Sequence, residues 1–175
     1  MNSARPVSRT IAIVVSNLDY YTSKIVSAIE SEARLHSYNL IVRLSKDTED
    51  EDASLRQLVQ EHVDGIILFP RGRPFCSDQV LWLKMDEYPI VIIDRNYRDI
   101  MIDSVCHDHL QGMYEMMQYL IGKGHKEIGY VTNALTGISS REERYEGYIK
   151  ALFDQGIPVR SQYIHIVGAT NNLIN

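Results

Sequence analysis

Cysteine is scarce in this chain of 175 residues: Cys76 and Cys106 are the only two, far apart and without a second pair. Reduced, partly buried thiols of a cytoplasmic protein account for such a pair better than a disulfide framework or a cysteine metal site. Long apolar runs are lacking too. No segment approaches the roughly 18 consecutive apolar residues of a membrane helix, and the polar start at 1–10 has no signal-peptide core, so no membrane partner is expected. Positive charge is outnumbered, with 18 Lys and Arg against 23 Asp and Glu for a net charge of −5. No stretch gathers the cations into a stripe. Nothing therefore resembles a nucleic-acid footprint, and any DNA binding must come from elsewhere.

Signatures of catalysis are missing as well. No Gly-x-Gly-x-x-Gly follows a predicted strand, neither a P-loop nor a Gly-x-Ser-x-Gly elbow occurs, and no nucleophile stands beside a base. The chain is expected to be no enzyme and to carry no cofactor. A metal is not expected either. His107, Asp108 and His109 are consecutive and cannot all point at one ion from an extended segment. The acidic run at 47–52 does not match a calcium loop and reads as a solvated helix entry, where negative charge suits the helix dipole.

What the sequence does contain is a core and a rhythm. Hydrophobic residues make up 45% and charged residues 23%, which suits a packed globular domain. Apolar runs at 11–15, 39–44, 66–69, 90–93, 104–106, 128–131 and 163–167 alternate with helix-period segments, the pattern of βαβ units and a parallel sheet. The clearest helix carries Leu110, Met113, Tyr114, Met117, Leu120 and Ile121 on one stripe, read as core, and ends at the glycines 122 and 124. Ser140 to Glu143 reads as a capping box for a helix with Tyr145, Tyr148, Ile149, Leu152 and Phe153 on its inner face.

Polar and aromatic residues cluster at the ends of these runs. Asn17, Tyr20 and Tyr21 follow the first strand, Arg71 the third, and Asp94 and Arg95 the fourth; Asp108 precedes the long helix, and Arg144 lies on the capped one. Open α/β sheets bind ligands outside the carboxyl ends of their strands, where tyrosines stack on a sugar or base while carboxylates and Arg take its polar edge. Each residue alone reads equally well as a turn or cap, and Arg71 equally well as part of a solvated loop. Asp94 and Arg95 fit a polar ligand site or a structural ion pair. Their joint placement at one sheet edge favours a cleft.

In order and in register, 11–15 with the Asn17 and Tyr20–Tyr21 loop, 63–68 (VDGIIL), 89–95 (PIVIIDR), 103–108 (DSVCHD), 124–128 (GHKEI) and 139–144 (SSREER) with Gly147 and Tyr148 resemble the effector-binding core of the LacI/GalR family of bacterial transcription repressors. That resemblance implies an α/β fold, a doubly wound parallel sheet of the periplasmic binding protein-like type I, with the first lobe and the start of the second. It places a linker remnant at 1–9, the first lobe at 10–123 and a partial second lobe at 124–175. It implies that Asn17, Tyr20, Tyr21, Asp94, Asp108 and Arg144 line the effector pocket, Asp94 and Arg144 matching positions that grip ligand hydroxyls or polar ring atoms. The implied partners are a sugar or related metabolite, operator DNA through a helix-turn-helix or winged-helix domain outside this chain, and a second copy in a homodimer. The chain is thus expected to be a fragment. Two rival readings are a sugar-binding protein of a transport system, with a like fold and pocket, and a flavodoxin-like or nucleotide-using enzyme, whose phosphate loop finds no glycine at 16–19.

Overall fold

The computed structural model describes residues 8–73 and 75–167. The expected linker residues 1–7 and the tail at 168–175 lie outside that range. The chain divides into two compact units between Cys106 and His107.

The first unit is a parallel sheet of β1 (Thr10–Val15), β2 (Asn39–Leu44), β3 (Gly65–Leu68), β4 (Ile90–Ile93) and β5 (Ser104–Val105), in the order β2-β1-β3-β4-β5. Connecting helices are α1 (Tyr20–Leu35), α2 (Thr48–Gln60) and α3 (Asp78–Met85). The apolar run of β1 is buried on both sides: Ala12 and Val14 pack with Leu55 and Leu58 of α2, while Ile13 and Val15 pack with Ile25, Val26 and Ile29 of α1. Opposite faces of one strand thus meet different helices, which makes the sheet doubly wound. The chain leaves β1 toward β2 on one side and continues to β3 on the other, so the order reverses at β1. Ser8 and Arg9, expected as linker, donate backbone N–H groups to Asp64 at 2.8 Å and fix the entry to β1.

The second unit contains α4 (His109–Gly122), β6 (Tyr130–Thr132), α5 (Ser139–Asp154) and β7 (Ile164–Ile166), with β6 and β7 paired in parallel. The methionine stripe of α4 is core, with Met117 buried against Tyr130, Tyr148, Ala151 and Leu152. A Cβ on Gly147 of α5 would collide with the carbonyl oxygen of Leu110, so glycine is what lets α4 and α5 approach this closely. Gly124, at φ 93°, closes α4 with its N–H on the Ile121 carbonyl, while His125 N–H reaches that of Leu120.

The compact units divide before α4, whose stripe packs on α5. Several expectations about the elements are corrected. The strand expected at 128–131 begins at Tyr130, since β7 offers only Ile164 to Ile166 as ladder partners. The capping box at Ser140 and Glu143 is not the cap: the N-cap is Ile138, two residues earlier, and Glu142 reaches back to the Gly137 N–H at 3.0 Å. Phe153, expected on the inner face of α5, is 80% exposed. The acidic run is not wholly solvated either. Asp47 caps α2 by accepting from Asp50 N–H at 2.8 Å, but Glu51 is completely buried.

Candidate ligand site

At the carboxyl edge of the first sheet the residues after β1, β3 and β4 converge. Asp19 accepts the Thr22 N–H at 2.9 Å and caps α1, which starts the helix at Tyr20 and sets the direction of Tyr21. That backbone bond also holds the Asp19 carboxyl below its ordinary pKa. The Tyr21 hydroxyl then donates to Asp94 Oδ1 at 2.9 Å, across 73 residues of sequence. Asp94 has φ 68°, a left-handed conformation that Asp tolerates better than most residues with a Cβ, and it turns the chain sharply at the end of β4.

Beside it, Arg95 places Nε 3.5 Å from Asp94 Oδ2, donates from Nη1 to the Pro70 carbonyl at 2.9 Å, and lies 5.1 Å from the centre of the Phe69 ring. Tyr21 meets that ring edge-on at 6.4 Å. The corner therefore presents an aromatic wall, a carboxylate and a guanidinium, the set that binds an apolar sugar face and its hydroxyl edge. Of the two expected readings of Asp94 and Arg95, the structure shows the ion pair, which stands at the carboxyl edge of the sheet.

The other predicted residues are placed as follows. Asn17 is exposed and accepts the Asp19 N–H at 3.1 Å, shaping the loop before α1. Tyr20 is exposed, with Lys24 Nζ 5.4 Å from its ring centre. Arg71 faces inward: its Nη1 donates to the Ser45 carbonyl and its N–H to Glu51 Oε2, both at 2.8 Å. In the second unit Asp108 caps α4 by accepting the Gln111 N–H at 2.9 Å, and the half-buried Arg144 donates Nε to the Ser140 carbonyl at 2.8 Å. His107 and His109 stand edge to face, 5.7 Å apart. No group of three or more His, Cys, Asp or Glu among the described residues is placed to hold a metal. No helix among them is long and apolar enough to cross a membrane. Cys76 and Cys106 are both free thiols, and burial with the Asp99 carboxylate beside it pushes the Cys76 thiol up to about 11.

Sequence reasoning missed two members of this region. Phe69 reads as the last core residue of a strand, although Pro70 after it marks the strand's end and hence the ligand edge. Glu51 reads as one acid among several. Its spacing from Leu55 and Leu58, i+4 and i+7, puts it on the buried stripe of α2 and is the signal that could have found it.

The family of periplasmic binding proteins and sugar-binding domains of LacI-type regulators matches residues 8–172. Catabolite control protein A of Priestia megaterium is 29% identical over 157 residues, 89% of this chain and 47% of the relative. The HTH-type transcriptional repressor PurR of Yersinia pestis is 31% identical over 148 residues, 82% of this chain and 42% of the relative. Among solved structures, the transcription regulator CcpA of Lactococcus lactis superposes with a TM-score of 0.79 at 25% identity, covering 90% of this chain and 58% of its own. A sugar-binding transcriptional regulator of the LacI family from Escherichia coli, complexed with phosphate, gives 0.76 at 27% identity, with 91% and 58% covered. The chain spans about half the length of the curated relatives it matches. On the extent of the family match and the order of its strands, the chain belongs to the family of periplasmic binding proteins and LacI-type sugar-binding domains.

Proposed function

We propose that the chain is the effector-sensing region of a cytoplasmic LacI-type transcription regulator that binds a sugar or related small metabolite. The observation that carries this reading is the Tyr21–Asp94 hydrogen bond, 2.9 Å long, which joins the exits of β1 and β4 beside Phe69 and Arg95. Tyr21 and Asp94 form the core of the site. Asn17 and Tyr20 border it and Arg71 supports it from below, while Asp108 and Arg144 are proposed as ligand contacts of the second unit taken by itself. The two units correspond to the first lobe and the opening part of the second. In the whole dimeric protein the ligand favours one arrangement of the lobes and changes operator affinity through its differential affinity for the two states. DNA is read by a domain outside this chain.

The transcriptional regulators among the relatives favour this reading over the solute-binding protein of a transport system, which the family description also covers. A helix-turn-helix or winged-helix segment upstream in the reading frame is expected, and an upstream signal sequence would decide for transport. The site itself is tested by titrating the ¹⁵N-labelled chain with D-ribose and with D-glucose. Weak, fast-exchange shifts confined to the amides of 17–21, 69, 71 and 94–95 are expected. The absence of shifts there with both sugars, or shifts elsewhere only, refutes the assignment.

A further inference from the structure

Beneath the ligand edge lies a charged cluster that the site does not use directly. Glu51, in the first turn of α2, is completely buried. Its Oε2 accepts the Arg71 N–H at 2.8 Å, and its Oε1 lies 3.5 Å from Arg73 Nη2. Arg73 Nη1 pairs with Asp52 Oδ2 at 3.1 Å, while its Nη2 also donates to the Thr48 carbonyl. A buried carboxylate is retained only when its partners replace water, and here those partners all belong to the exit loop of β3. The buried Tyr97 hydroxyl, which finds no hydrogen-bond partner among the described residues, closes the other side, and its burial and the Glu51 charge both raise its pKa.

The exit loop leads straight to the ligand corner. Arg71 donates to Ser45, whose own N–H is bonded to the Val15 carbonyl at 2.9 Å, so the exits of β1, β2 and β3 are tied to one another. Pro70, the residue before Arg71, supplies the carbonyl that holds Arg95. A continuous series thus runs from Glu51 through the Arg71 peptide and the Pro70 carbonyl to Arg95, Asp94 and Tyr21. We infer that Glu51 is a positioning residue for the Tyr21–Asp94 corner, fixing Arg95 through the exit loop of β3. This role rests on the proposed ligand reading of that corner. Burial, only partly offset by the Arg71 N–H and by Arg73, raises the Glu51 carboxyl above its ordinary pKa.

The test compares the full chain with Glu51→Gln, whose amide retains one acceptor but sets a donor against Arg71 or Arg73. Hydrogen exchange at the Arg71 amide is expected to accelerate about tenfold, the equivalent of one lost charge-assisted bond. The Arg95 guanidinium proton signals are expected to shift, and the affinity for D-ribose or D-glucose, whichever moves the site amides, to fall about fivefold. A lower melting temperature with unchanged Arg95 signals would overturn the inference, because Glu51 would then only stabilise α2. If neither sugar binds the unaltered chain, the ligand reading fails, and the Arg95 signals still decide the role of Glu51. If the variant does not fold, a pH titration of the unaltered chain decides. The groups facing Glu51 are Asp52, Arg71, Arg73 and Tyr97, and Asp94 faces Arg95. Arg95 signals that move with the Glu51 carboxyl midpoint support the inference. Arg95 signals that stay fixed through the Glu51 midpoint overturn it.

Discussion

Tyr21 and Asp94 in the first unit meet each other, whereas Asp108 and Arg144 in the second each bond to the backbone of their own helix. The first pair is held across two strands of a five-stranded sheet and survives only if that sheet is intact. The second pair is held by local geometry, a cap and an i−4 contact, which a single helix supplies. One unit therefore carries a pair built by tertiary structure, and the other carries side chains set by the local geometry of a helix. The strongest way to separate the two is to break one helix contact and ask which unit responds.

Gly147→Ala does this. Its new Cβ collides with the Leu110 carbonyl oxygen and crowds Met113 and Tyr114, so α4 must move off α5. A loss of about 3 kcal/mol is expected, at the upper end for overpacking. It is read as lost hydrogen-exchange protection in α4 and α5, with β1 and β3 still protected. Equal loss of protection in β1 would show that the units fold as one and would break the comparison.

Asp94→Asn is expected to do the opposite, with little effect on the fold and a large effect on binding. Asn tolerates the left-handed backbone of position 94, so the melting temperature should stay within a few degrees. Removing the carboxylate weakens its bonds to Tyr21 and to a ligand hydroxyl, and sugar affinity should fall about tenfold, equivalent to about 1.4 kcal/mol. Asp108→Ala, by contrast, removes the α4 cap and should lower stability by about 1 kcal/mol, read by urea denaturation. A sugar affinity that fell further for Asp108→Ala than for Asp94→Asn would reverse the assignment of which unit holds the core of the site.

The same contrast governs what was legible in the sequence. The strands of the first unit were readable because burial on both faces leaves unbroken apolar runs, and the polar residues after them fell where a doubly wound sheet binds ligands. The stripe of α4 was equally plain, but its partner was not, because periodicity shows that a helix has an apolar face without showing what covers it. That is why the packing of α4 against α5, within the second compact unit, was not legible. The capping box failed because a helix end can shift by a residue or two, and Phe153 failed because spacing puts it on the face of Tyr145 and Ile149 without showing what covers the last turn. Glu51 stayed hidden because a carboxylate surrounded by acids looks solvated until its helical phase against Leu55 is counted.

The smallest effect is expected in the pH dependence of stability, where carboxylates of opposite tendency act in separate pH windows. Burial raises Glu51 above its ordinary value of 4.5, so the folded state binds this proton more readily than the unfolded chain. Its contribution is fully present below 4.5 and is lost as pH rises through the elevated folded value. Asp19 and Asp64 in the first unit, and Asp154 in the second, are lowered from 3.8 by hydrogen bonds to Thr22, to Ser8 and to Lys150, respectively. Their contributions are present above 3.8 and are lost as pH falls through their folded values. Denaturation free energies should therefore decline above about pH 4.5 as Glu51 ionises in the unfolded chain, with a slope of at most roughly 1.4 kcal/mol per pH unit, that of one full proton, and level off above the folded value. Glu51→Gln should flatten that decline whatever it does to absolute stability, while Asp154→Asn should leave it in place. A neutral-side slope that persists in Glu51→Gln would mean that the buried carboxylate is not the group responsible, and that its partners in the β3 exit loop neutralise it fully in the folded state.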